Sequence, residues 1–213
     1  MHRRTVLLLA ALLCACGGMS KHAAGTTLVE PDRLPPSEYE DAASLYSEAC
    51  DRGSVRGCAY LGYMYDNGRG VLQDIPKAVA LNRRACEQDE PFACLYLGYL
   101  YQIGRGVSQS TFRSSELFTR SCEGGNLEGC LHLGIMYKSG AGVAYDPGRA
   151  VNLFRRGCEG GEALACASLG YMYENGEGVE PDEQRAAELF QSACVQGNRI
   201  GCDAAAELEL AED

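Results

Sequence analysis

The chain has 213 residues, 46% of them apolar, with no tryptophan and 19 basic against 29 acidic side chains, a net charge of −10. The apolar share is ordinary for a folded protein. The acidic balance argues against a nucleic-acid partner or adhesion to anionic lipid through the protein surface.

The N-terminus reads as an export signal. Met1-His2-Arg3-Arg4 is basic, and Thr5 to Leu13 is an apolar run too short to span a bilayer stably. The run ends in Leu13-Cys14-Ala15-Cys16-Gly17-Gly18, which resembles a bacterial lipobox: an aliphatic residue at −3, a small one at −1, then the lipidated cysteine. Cys16 fits and Cys14 does not, because Leu13 would stand at −1. An ordinary secretory signal cleaved nearby is the alternative. Residues 1–15 are thus expected to be removed. Losing Arg3 and Arg4 leaves 17 basic residues against 29 acidic, a net charge of about −12. Outer-membrane or periplasmic attachment is the expectation, with the lipid as the only membrane contact. Residues 16–36, small, polar and carrying Pro31, Pro35 and Pro36, read as a flexible tether.

From there the chain repeats. Cys50, Cys86, Cys122, Cys158 and Cys194 recur every 36 residues, and Cys58, Cys94, Cys130, Cys166 and Cys202 follow each by eight. Five copies of one unit are expected over residues 37–209, followed by an acidic tail at 210–213. Such arrays stack along one axis instead of wrapping a single core. Each copy begins with a helix. Ser37-Glu38-Tyr39-Glu40 has the form of a capping box, and later copies start after Asp74, Ser110 or Thr111, Asp146 and Asp182. Its apolar stripe is small-large-small, as in Ala78-Leu81-Ala85 and Ala186-Leu189-Ala193. It ends near Gly53, Asp89, Gly125, Gly161 or Gly197, where a left-handed residue stops a helix.

A second helix follows at once and holds Leu61-Gly62-Tyr63-Met64-Tyr65, echoed at Leu97, Leu133 and Leu169. Cysteine, leucine, glycine and the last tyrosine stand at i, i+3, i+4 and i+7, one buried face. The mid-helix glycine costs about 1 kcal/mol against alanine, so its recurrence implies close approach of a neighbouring helix backbone. Gly68-Arg69-Gly70-Val71 and its echoes turn the chain into the next copy. The fifth copy lacks the Leu-Gly-Tyr core after Cys202, as a polar terminal cap would.

These residues resemble the Sel1-like repeat, a relative of the tetratricopeptide repeat, and within it the cysteine-rich branch known from Helicobacter. The shared marks are Ala-Cys-x-x-Leu-Gly-x-x-Tyr, Gly-x-Gly-Val and the cysteine pair eight apart. The resemblance implies an all-α, right-handed superhelical solenoid of five helix hairpins, a scaffold for protein or peptide partners. Cysteines at that spacing across a short turn can come within disulfide reach, so Cys50–Cys58, Cys86–Cys94, Cys122–Cys130, Cys158–Cys166 and Cys194–Cys202 are the expected bridges. Metal binding or thiol redox chemistry is the rival reading, but Cys-x-x-Cys and histidines at ligand spacing are absent. No metal or other cofactor is therefore expected.

In relatives the second helices line the concave side. Tyr60, Tyr63, Asn67, Tyr96, Tyr99, His132, Tyr171 and Asn175 would then face the groove, either as core packing or as a binding surface. The same branch has been described as having weak β-lactamase activity, which is the alternative function. Ser-x-x-Lys, Lys-Thr-Gly and His-x-His-x-Asp are all missing from this sequence, so no catalytic residue is assigned.

Overall fold

The computed structural model describes residues 28–211, which form ten helices of 13 residues each. The signal segment, Cys16 and the last two residues of the tail lie outside the described residues. The helices pair as α1 (Tyr39–Asp51) with α2 (Val55–Asn67), α3 (Ile75–Glu87) with α4 (Pro91–Ile103), and α5 (Thr111–Glu123) with α6 (Leu127–Ser139). Then come α7 (Pro147–Glu159) with α8 (Ala163–Asn175) and α9 (Glu183–Val195) with α10 (Arg199–Ala211). Each helix packs chiefly on its neighbours in sequence, which is the geometry of a solenoid.

Local chemistry sets the helix ends. Side chains of Asp74, Ser110, Asp146 and Asp182 accept from backbone N–H groups three residues on, the caps expected from sequence. Ser54 and Asn126 do the same for second helices. The turn inside each hairpin needs one left-handed residue. Gly53, Gly125, Gly161 and Gly197 supply it, and Asp89, at φ 58°, is the single non-glycine residue with positive φ among the described residues.

That turn aligns the cysteines. All five expected bridges form, with Cα–Cα distances of 4.4–4.7 Å. Each closes a loop of about nine residues, worth about 2.5 kcal/mol on the loop-entropy model.

Two expectations need correction. The Ser37 capping box does not form. Pro36 opens a 3-10 turn, Pro36–Glu38, and α1 follows from Tyr39 without a side-chain cap. The described part of the segment read as tether is also packed. A first 3-10 turn, Pro31–Arg33, buries Pro31, while Leu28 and Leu34 pack against the core of the first hairpin. The Tyr46 hydroxyl donates to the Val29 carbonyl, and Arg69 pairs with Asp32 at 3.0 Å. In register these residues replace the loop that precedes every later first helix, so they cap the open end of the array.

Between hairpins the contact is a ring against a glycine. Phe118, Phe154 and Phe190 are fully buried, and each lies over the mid-helix glycine of the preceding repeat, Gly98, Gly134 or Gly170. A Cβ on any of these glycines would stand 2.6–2.7 Å from a ring carbon. The glycine therefore admits a side chain, not the neighbouring backbone that sequence suggested. Tyr46 and Asn82 stand at the same register in repeats one and two. Asn82 fills the slot over Gly62, fully buried, with its Nδ2 donating to the Ala78 carbonyl and its Oδ1 lacking a partner among the described residues.

Gly134→Ala should destabilise the fold by about 1–2 kcal/mol, because overpacking against the immobile Phe154 ring outweighs the gain in helix propensity. Asn82→Phe should raise the melting temperature, since it removes a buried unpaired acceptor and restores the ring that three other junctions use. Thermal denaturation followed by circular dichroism reads both.

Candidate functional site

Second helices of adjacent repeats touch side chain to side chain. At the N-terminal end, rings meet edge-on in a chain: Tyr46 against Tyr60 (5.4 Å between centroids), Tyr60 against Phe92 (5.0 Å), and Tyr63 against Tyr96 (5.1 Å). Tyr60 and Tyr63 are only 4% and 8% exposed. Both were expected to face the groove, and for both the core-packing alternative holds, because Phe92 and the capping segment at Asp32 close over them. Burial raises the Tyr46 hydroxyl to about 12. Burial and then the bond to Asp32 push the Tyr63 hydroxyl up as well.

Tyr96 and Tyr99 are half-buried. The Tyr96 hydroxyl donates to Asp66 at 2.6 Å and accepts from Asn67 at 2.9 Å. Asp66, itself buried, also accepts from Arg105 at 2.7 Å. The Tyr99 hydroxyl donates to Glu128 at 2.6 Å. Burial, followed by these carboxylates, raises both phenols, so they remain protonated donors across the physiological range. His132 sits edge-on to Tyr99 at 4.8 Å and tilted on Phe118 at 5.3 Å. Tyr171 lies against Phe190 at 4.8 Å, one pair of repeats further along. Asn67 and Asn175 are exposed and donate to the Tyr63 and Tyr171 carbonyls one turn back. The structure thus joins Tyr60, Tyr63, Asn67 and Tyr96 in one cluster and Tyr99 with His132 in a second, with Tyr171 and Asn175 apart.

Sequence reading missed the partners that fix this stripe. Arg69 reaches back to Asp32, Arg105 to Asp66, and Glu177 to Lys138 at 3.0 Å. The last two pairs share one register 39 residues apart, with the charges exchanged. The signal was present in the variable residue of the Gly-x-Gly turns, Arg105, Ala141 and Glu177, set against Asp66, Gln102 and Lys138 one repeat earlier.

A model of the Sel1 repeat matches residues 31–54, 55–90, 91–126, 127–162 and 163–198, most of the chain. The chain belongs to the Sel1 repeat family. Its full windows open at a second helix and close after the next first helix, so each spans one junction at a mid-helix glycine, filled by a ring in the last three and by Asn82 in 55–90. No curated protein matches the chain. Among solved structures it is similar to a Sel1 repeat protein from Oxalobacter formigenes, at 28% identity and a TM-score of 0.71, covering 78% of this chain and 66% of that one. It is also similar to a protective antigen of uropathogenic Escherichia coli with an SLR fold, at 30% identity and 0.72, covering 80% and 36%. Helicobacter pylori cysteine rich protein B shares 29% identity and a TM-score of 0.50 over 62% of this chain and 95% of its own. The chain therefore spans less than two thirds of the first two relatives. As a Sel1 repeat scaffold it is of the kind that typically mediates protein–protein interaction, and its five disulfides fit a compartment outside the reducing cytosol. Among the described residues no helix is long and apolar enough to cross a membrane.

Burial holds His132 below its ordinary value of 6.5, and the nearby Glu128 only partly offsets this. The folded state therefore binds fewer protons than the unfolded chain as pH falls through that range, so stability should decline below about pH 6.5. Melting temperatures from pH 7.5 to 5 should fall less steeply in His132→Phe than in the parent.

Proposed function

We propose that this chain is an exported, lipid-anchored scaffold that holds a protein or peptide partner at the bacterial cell envelope. The observation that carries the reading is the side-chain stripe on successive second helices, where half-buried tyrosines keep contact area and a polar edge available from one repeat to the next. Tyr96, Tyr99 and Tyr171, with Asn67 and Asn175 beside them, supply rigid aromatic area at low cost in side-chain freedom, the profile of interface anchors. The ion pairs behind the stripe and one disulfide per hairpin hold it in shape before a partner arrives, which lowers the ordering cost of binding.

Anchoring rests on Cys16 in its lipobox-like setting, and the acidic surface leaves the lipid as the sole membrane contact. The hydrolase alternative gains nothing from the side chains described. His132, the one histidine among them, rests on rings, and the Glu128 beside it is engaged by Tyr99.

A photo-crosslinking residue at Tyr171 or Tyr99 should give a discrete adduct in intact cells, and the same residue at Glu159 on a first helix should not. Cys16→Ser should move the protein from the membrane fraction to the soluble one. Identical adducts from both faces would reject the stripe as the binding surface.

A further inference from the structure

The carboxylates along the second-helix face divide into two groups. In repeats one and two each is neutralised within the protein: Asp32 by Arg69, Asp66 by Arg105, and Glu90 by Arg56 at 3.1 Å. Across repeats three to five, Glu128, Glu162, Glu174, Asp203 and Glu207 form no ion pair among the described residues. Glu128 has only the neutral Tyr99 hydroxyl, and all but the half-buried Glu162 are exposed.

These five carboxylates fall in two groups along the face. Glu128 and Glu162 act together on the Tyr99 hydroxyl, and Glu174, Glu207 and Asp203 on that of Tyr171, in each case adding to the effect of burial. Apolar surface lies between them. Ile135 occupies the register of Tyr63, Tyr99 and Tyr171 and is 39% exposed, while Ile200 in the register of Phe92 and Glu128 is 46% exposed. Tyr171 is half-exposed beside them. At the N-terminal end the same registers are filled by Tyr63, Tyr99 and Phe92, whose rings pack on one another or on Phe118.

We propose that the second-helix face of repeats three to five docks a basic segment of a protein partner, one in which lysine or arginine alternates with apolar side chains. This rests on the scaffold reading above and gives it a partner chemistry. The carboxylates about Tyr99 and those about Tyr171 make this face acidic, and its Lys138 is already held by Glu177, so a cationic partner lowers the charge while covering Ile135, Tyr171 and Ile200. A neutral or acidic segment would cover the same apolar atoms but leave or add to that charge. The N-terminal half of the stripe, already neutral and ring-packed, offers no such incentive.

The test uses the purified chain and synthetic peptides of about twelve residues repeating Lys-Leu-Lys, Glu-Leu-Glu or Ser-Leu-Ser, followed by calorimetry. The lysine peptide should bind, more weakly as salt rises, and the glutamate peptide should not. Replacing Glu128, Glu162, Glu174 and Glu207 with Gln and Asp203 with Asn should weaken binding at least about tenfold. Replacing Glu40, Asp51, Glu87, Glu123 and Glu159, exposed carboxylates on the first helices, should change it by less than about threefold. Equal losses in the two variants would mean non-specific attraction to an acidic protein and would overturn the proposal. Binding of the serine peptide that survives the face variant but is lost in Tyr171→Ala would keep the face as a docking surface and overturn its basic chemistry. Circular dichroism melts confirm that both variants stay folded, since every substituted side chain lies on the surface or at its edge.

Discussion

A phenylalanine ring lying on a bare stretch of helix is the contact that joins the helices of repeats two to five into one body. Each hairpin is held by its own disulfide, but that bond stops at the repeat boundary. Phe118 on Gly98, Phe154 on Gly134 and Phe190 on Gly170 carry the array across it. Glycine pays a helix-propensity cost at every one of these sites, and the buried ring returns more than it loses. The fifth copy shows what the glycine is for. Ala206 stands at the register of Gly170, exposed, where no following ring packs on it among the described residues. The family windows, which straddle the boundary instead of the hairpin, coincide with this unit.

Division of labour between the two fastenings explains the polar stripe. A disulfide fixes the angle within a hairpin, and the ring fixes the separation between hairpins, but neither sets the twist of one second helix on the next. Hydrogen bonds and ion pairs do that on the surface where those helices meet. Asp66 receives both Tyr96 and Arg105 from the following repeat, so one buried carboxylate registers two points. Exchanging the signs in Lys138–Glu177 keeps the attraction while making the two junctions non-interchangeable. Surface pairs contribute little singly, and the buried member at Asp66 carries more of the specificity than its exposed counterparts.

Period, disulfide pairing and first-helix caps were legible in the sequence because each depends on residues within one copy. Asp74, Asp146 and Asp182 announce their helices locally, and eight residues around a left-handed turn bring two cysteines together wherever the copy sits. What lay between copies was harder to see. The aromatic column broke at Asn82, which disguised Phe118, Phe154 and Phe190 as scattered hydrophobics. Tyr60 read as groove-facing from its angle to Cys58, but burial there is decided by Phe92 of the next repeat and by the segment ahead of α1. A helix packed on three sides has no free face for a period to reveal.

The same logic separates the two ends of the candidate binding surface. Capping residues and Arg56, Arg69 and Arg105 consume the acidic and aromatic side chains of repeats one and two in holding the array together. Repeats three to five keep Phe118, Phe154 and Phe190 at their junctions and so need less from the stripe, which leaves Glu128, Glu174 and Tyr171 at the surface. A scaffold whose junctions are secured by buried rings can leave charge on its face unspent. On the second-helix face, the Lys138–Glu177 pair apart, the uncompensated carboxylates lie where the ring column is unbroken, and Asp32, Asp66 and Glu90 are neutralised where Tyr46 and Asn82 interrupt it.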